Sequence, residues 1–424
     1  MSSLKNFFFL IFIITFVTNQ SFAQSNFSIK GYYKNFSVVL KPSGAEDLSS
    51  SFFNYPAMGL VNNRLRLNMF YDLSNHLSMN VAYDFSPRIQ DPALFNQNMF
   101  LTGIDPFQYR FADLDSRFYP SKNEKIRTFA IFQNLDRAML TVKTNFADIF
   151  IGRQAIAWGS ARVINPTDIL APFTFEELDT EDRIGIDAVR MRIPVGVMGE
   201  FDMGYVFGKD FKFKQSAMYL RSKFYIVQSD VSFLLLGFRE NLLAGFDLAR
   251  AIGGAGFWFE SAAVFDNAFN EFEFEKKTNY FRTTIGIDYS FSSKVYGFVE
   301  YHFSSAGAEY PKNYLSIFNE SAVSEGAVYL MGRHYLVPGM TYQLTPLITL
   351  SVEALFNIGD QSLFMAPQLE YNIAENIYIS GGAFISIGKK PEYKIAESSF
   401  PILLFRSEFG SYPDLYFTSF RIYF

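Results

Sequence analysis

The chain has 424 residues, a net charge of −5 and no cysteine. These exclude a disulfide framework, a thiolate nucleophile and a Cys-ligated zinc site, and the acidic balance without any Lys/Arg run excludes a general nucleic-acid binder. Aromatic residues make up 18% of the chain, with 51 Phe and 25 Tyr but 2 Trp, while mean hydropathy is only +0.06. A helical membrane protein is excluded as well, since no run of about 20 apolar residues follows the extreme N-terminus. A soluble fold would have to bury those aromatics. A membrane barrel, apolar toward lipid and polar toward its lumen, fits both figures.

In chain order, Lys5, the apolar run 7–17 and Ser21-Phe22-Ala23 before Gln24 read as a secretory signal peptide over 1–23. Its apolar part is short for a span. The mature chain, 24–424, reads as one all-β domain: a transmembrane antiparallel barrel of about 18 strands with long outer loops and short periplasmic turns. Residues 27–40 form the first strand and 41–60 a loop. Leu65, Leu67, Met69 and Tyr71 then alternate with Arg64, Arg66 and Asn68, and 77–83 repeats the pattern.

Residues 86–127, with Pro87, Pro92, Pro106 and Pro120, form an external loop. Strands are expected at 133–143, 147–158, 187–193, 199–208, 216–227, 231–238, 242–250, 256–265, 279–291, 294–304, 334–343, 347–357, 363–372 and 377–387, and a closing strand at 415–424. The stretch 400–409 is read as a loop extension, which keeps the count even as single-chain bacterial barrels require. The long connections (41–60, 86–126, 159–185, 266–278, 305–333, 388–413) all fall on one side of the membrane.

On this alternation Arg64, Arg66, Arg137, Lys143, Arg190, Arg192, Arg221 and Lys223 face inward from the N-terminal half. Glu200, Asp202, Asp247, Asp288, Glu300 and Glu353 face inward mainly from later strands. A basic wall opposite a more acidic one would bias which solutes pass.

The densest set of polar and special residues lies between Phe150 and Arg192. Arg153 and Gln154 sit where a strand leaves the membrane, and Trp158 is expected in the interfacial aromatic girdle. Asn165-Pro166 with Asp168 suits a tight turn. Arg183, Asp187 and Arg190 are placed to pair with loop carboxylates and fold the loop inward. The expected constriction is therefore Arg153, Gln154, Asp168, Arg183, Asp187, Arg190, Arg192, Arg64 and Arg66, with Arg153, Arg183 and Arg190 at an eyelet. The alternative is that they only staple the loop to the wall.

Gly152-Arg153-Gln154, Ile156, Trp158-Gly159, then Asn165-Pro166, Asp168, and Arg183, Gly185, Asp187 and Arg190 resemble a pattern in porin-like outer-membrane families, including alginate-export-like barrels. The resemblance covers about 40 residues. It implies passive or facilitated passage of a solute and an outer membrane of a Gram-negative cell. The last ten residues, with Tyr416, Phe420, Ile422 and Phe424 on one face, resemble the terminal-strand signal read by the barrel assembly machinery.

No catalytic residue, metal site or cofactor is expected. The chain holds three histidines, none in HExxH spacing, and no Gly-rich phosphate loop. The expected function is a porin or facilitated-diffusion channel for a small polar solute, with anions favoured by the arginines. Its partners are outer-membrane lipids and the assembly machinery through Phe424, and not nucleic acid. Two alternatives stand beside it: a structural or adhesion barrel with a blocked lumen, and a barrel hydrolase built on His302 with Asp288 or Glu300.

Overall fold

The computed structural model describes residues 26–43, 57–95, 107–269, 278–318, 320–395 and 401–424. The expected signal peptide lies outside them, as do parts of the expected loops 41–60, 86–126, 266–278, 305–333 and 388–413. The strands are β1 Phe27–Lys41, β2 Met58–Ser74, β3 Leu77–Gln90, β4 Arg117–Tyr119, β5 Phe129–Lys143, β6 Asp148–Gln154, β7 Ile186–Val195, β8 Gly199–Val206, β9 Ala217–Ile226, β10 Ser229–Phe238, β11 Asn241–Ile252, β12 Ala255–Phe265, β13 Tyr280–Ser290, β14 Val295–Ser304, β15 His334–Thr345, β16 Ile348–Asn357, β17 Ser362–Ala374, β18 Ile377–Ile387, β19 Glu392–Ile395, β20 Pro401–Leu404 and β21 Asp414–Tyr423.

The main sheet has 19 strands. One of them, β4, pairs with β5 beyond the end of β6 and adds nothing to the wall. The other 18 pair antiparallel in sequence, and β1 pairs with both β2 and β21, so the sheet closes on itself. Closure removes every free edge, which an aromatic-rich sheet of this size needs. The stretch 400–409 contributes β20, which pairs with β19 in a separate two-stranded hairpin and stays out of the wall.

The sequence alternation maps onto the two faces of the wall. In β13, Phe281, Ile285, Ile287 and Tyr289 are exposed on the outer face while Arg282 and Thr284 are buried inside. Turning such a charge outward would cost about 2–4 kcal/mol near the bilayer midplane. One place breaks the period. Ala82 pairs with Arg137 and Tyr83 with Leu135, leaving Asp136 unopposed. This bulge aims both Asp136 and Arg137 into the lumen, where they bond each other.

Several boundaries differ from expectation. β2 begins at Met58, inside the segment read as loop, and β3 continues to Gln90. The polar residues there, Asn62 and Arg88, bond each other across the two strands at 3.4 Å. The strand expected over 147–158 stops at Gln154. Just before that, Gly152 has φ +112, and a Cβ would lie 2.2 Å from the Ala138 carbonyl oxygen, so only glycine fits.

From Gln154 the chain turns inward. Trp158, expected in the aromatic girdle, lies instead inside the barrel, its ring 4.6 Å from that of Tyr219. The girdle reading assumed a strand that continued along the wall. Around Trp158 an apolar core fills part of the lumen. The wall supplies Phe36, Leu234 and Val264, and infolded loops supply Ile156, Leu170, Val323, Leu330 and Phe409.

Candidate functional site

The loop between β6 and β7, residues 155–185, crosses the lumen and is held at both walls. Its backbone N–H groups have left the sheet and, once buried, need acceptors. Lumen carboxylates supply them, because one carboxylate accepts several bonds. Glu260 on β12 accepts the N–H groups of Ser160 at 3.1 Å, Ala161 at 3.1 Å and Thr167 at 2.8 Å, and the Thr167 hydroxyl at 2.7 Å. Glu300 on β14 accepts the N–H groups of Arg162 and of Val163, the latter at 3.1 Å, and the Trp258 indole N–H at 2.8 Å. Asp247 on β11 accepts the Ser160 N–H at 3.0 Å. At the deepest point Arg162 reaches Asp288 at 2.7 Å and lies over the Trp258 ring. A cavity of about 470 Å³ opens there, lined by Arg162, Tyr225, Asp230, Arg250, Trp258 and Asp288 among others.

The second half of the loop docks on β1, β2 and β21. Asp179 accepts Lys34 at 2.7 Å and Arg64 at 3.1 Å. Glu181 pairs with Lys34 at 2.7 Å and accepts the Tyr423 hydroxyl at 2.7 Å. Asp182 accepts the Tyr32 hydroxyl at 2.7 Å and lies 3.5 Å from Arg66. Burial opposes the charge of Asp179, but Lys34 and Arg64 outweigh it and hold that carboxyl below its ordinary range. The expected basic wall is present, and its charge is met by these loop acids together with Asp84 and Asp136. Arg64 forks onto Asp84 at 3.2 and 3.1 Å, and Arg66 reaches Asp136 at 2.8 Å.

Within the loop, the Asp168 N–H bonds the Asn165 carbonyl at 3.4 Å and closes the expected turn. Asp168 pairs with Arg183, which also donates to the Ala171 carbonyl at 2.7 Å and lies over Phe173. Burial pushes the Asp168 carboxyl up to about 6, against the pull of Arg183.

Of the nine residues expected at a constriction, five are buried: Arg66, Arg153, Gln154, Asp168 and Asp187. Arg153 forks onto Asp187 at 2.7 and 3.0 Å and also donates to Asp113 at 2.8 Å, to the Leu135 carbonyl at 2.8 Å and to the Ala112 carbonyl at 2.6 Å. Its donors are spent on holding the segment near Asp113 against the root of the loop. Gln154 donates to the Ala188 carbonyl at 3.3 Å. Arg64, Arg183, Arg190 and Arg192 reach water. Arg190 forks onto Asp202 at 2.9 and 2.5 Å, whereas Arg192 is 36% exposed and 3.9 Å from Glu200.

Sequence reasoning missed Lys34, Asp84, Asp136, Arg162 and Glu260. Parity gave a signal for Glu260, which alternates with Trp258 and Ala262 on an inward face. It gave none for Asp136, which depends on the bulge.

A closed wall of 18 antiparallel strands has counterparts among solved structures. The fold is that of porin barrels. The structure is similar to Acinetobacter baumannii OccAB4, with a TM-score of 0.53 and 7% identity over 96% of this chain and 100% of that chain. It is similar to OprD from Pseudomonas aeruginosa, with a TM-score of 0.51 and 8% identity over 94% and 93%. A BenF-like porin from Pseudomonas fluorescens Pf-5 gives a TM-score of 0.54 and 6% identity over 94% and 98%. No protein-family model and no curated sequence matches the chain, so the likeness is one of fold.

Proposed function

We propose that the protein is an outer-membrane channel passing small polar solutes by facilitated diffusion, with the loop 155–185 as its constriction. The observation that carries this reading is the two-sided anchoring of that loop across the lumen. Carboxylates on β11, β12 and β14 hold one half, and cations on β1 and β2 hold the other. The porin neighbours support the same class, one of them a structure of OpdK with vanillate, as does the resemblance of residues 152–190 to alginate-export-like and related porins. Arg162, 52% exposed, and Arg192, 36% exposed, are lumen cations open to water and favour anions there.

Single-channel recording in planar bilayers tests the reading. Discrete conductance steps are expected, with a preference for anions that falls when Arg162 and Arg192 are both replaced by Ala. A protein that inserts but never conducts would instead be a structural or adhesion barrel. His302 gives the hydrolase reading little support: it is buried and shares a 2.8 Å hydrogen bond with Thr284, while Glu300 is committed to the loop. The signal peptide over 1–23, the lipid surround and delivery by the assembly machinery through the strand ending at Phe424 belong to the same proposal.

A further inference from the structure

Where the crossing loop meets two other outer loops, the contact is built from aromatic rings and carboxyls without a cation partner. Phe175 sits among four rings: Phe364 at 4.9 Å, Tyr412 at 5.7 Å, Phe409 at 5.8 Å and Tyr329 at 6.0 Å between centroids. Such a cage holds this segment of the loop by apolar contact. Next to it lie the half-buried Glu176 and the fully buried Glu408.

Glu408 accepts the Tyr335 hydroxyl at 2.5 Å, the Asn357 amide at 2.7 Å and the Met331 N–H at 2.8 Å, and its own N–H donates to Asp360 at 2.6 Å. Asp360 also accepts the Tyr314 hydroxyl at 2.8 Å. The titratable groups facing the pair are thus Tyr314, Tyr335, Asp360 and Tyr412, each neutral or acidic. Among the described residues no Lys or Arg lies within 4 Å of the carboxylates of Glu176, Asp360 or Glu408. The neighbouring Arg406 is turned to Glu392 at 2.7 Å.

We propose that Phe175, Glu176 and Glu408 form a proton-controlled latch, which keeps the segment around Phe175 docked on the neighbouring loops when the two carboxyls are neutral and frees that segment when they ionise, while the anchors at Glu260 and Asp179 keep the rest of the loop across the lumen. Burial first, and then the neighbouring acid, pushes Glu176 up to about 7; burial and Asp360 push Glu408 to about 7 as well. Released into water, each would return to its ordinary value near 4.5. The latched state therefore holds protons that the released state gives up, so rising pH favours release. Between pH 6 and 8 the ratio of released to latched chains grows about tenfold for each such carboxyl.

The consequence for conductance rests on the channel reading, so the test reads the loop separately. The native chain has no cysteine, and Glu177 is exposed beside the latch. A spin label on Glu177→Cys in detergent-solubilised full-length protein is expected to gain mobility between pH 6 and 8. In the same background Glu176→Gln should weaken the response, and Glu176→Gln with Glu408→Gln should abolish it, leaving the label immobile at pH 8. If the double variant does not fold, the single Glu176→Gln decides. Label mobility that ignores pH, or a response unchanged by Glu176→Gln, overturns the latch. In bilayers the native conductance should rise over the same interval. A label response with no current at any pH upholds the latch and sinks the channel reading.

Discussion

At the residue scale, the lumen shows two ways of holding charge inside a protein. Arg66 is paired: it lies buried between Asp84 and Asp136. Removing one partner of such a group leaves buried charge unmatched, which costs about 3–5 kcal/mol. Arg66→Ala is therefore expected to lower the thermal unfolding midpoint in detergent clearly, while Arg192→Ala, at a partly exposed pair 3.9 Å from Glu200, leaves it nearly unchanged. Glu260 is solvated instead by four donors of the loop, with no cation required. Glu260→Ala leaves the Ser160 N–H with Asp247 but orphans the Ala161 N–H and both Thr167 donors at about 1–3 kcal/mol each. Its expected signature is a larger and noisier single-channel current from a barrel that still migrates as folded on unheated gels. A quiet current of native size would mean that Glu260 does not hold the constriction.

At the scale of elements, strands and loops differ in how far the sequence reveals them. A strand facing lipid on one side must alternate, so β13, with Ile285 and Ile287 outside and Thr284 inside, is legible from its own residues. The loop is different because its partners are remote: Lys34 and Asp179 are 145 positions apart, and Ala161 and Glu260 are 99 apart. Composition marked the segment as dense in charge, and the Arg183–Asp168 pair was within reach of local reasoning. Its docking on β1, β2, β12 and β14 was not. The end of β6 was misread for a related reason. Ile156 and Trp158 keep the alternation of the strand they leave, but they serve an apolar core inside the barrel rather than the lipid. Period alone does not say which apolar medium a side chain meets. If this loop is the constriction, replacing 156–184 by a short Gly/Ser linker should raise conductance several-fold while strand content, read by circular dichroism, stays as in the native protein. Unchanged conductance would move the constriction to the loops holding Leu330 and Phe409.

At the scale of the whole molecule, closure of the wall depends on its two ends meeting. The Gly31 N–H donates to the Phe424 carbonyl at 2.8 Å, and the Phe424 N–H donates to the Gly31 carbonyl at 3.0 Å. The Phe424 ring packs where a side chain on residue 31 would be: a Cβ there would lie 2.9 Å from that ring and 2.3 Å from the Arg66 carbonyl oxygen. One residue thus makes the closing contact and, on the proposed function, carries the assembly signal, and experiment separates the two. As a closing contact, Phe424 contributes two backbone bonds out of a ladder in which β1 and β21 pair over ten residues from Tyr32 to Lys41. Each such bond is worth about 1 kcal/mol net. As the end of the chain, it would be the group read by the assembly machinery. Deleting Phe424 is expected to leave in vitro refolding into detergent largely intact, with a modestly lower unfolding midpoint, but to reduce sharply the amount reaching the outer membrane of a Gram-negative host. Equal losses in both settings would assign Phe424 to closure alone, because a defect of recognition cannot follow the protein into a purified system.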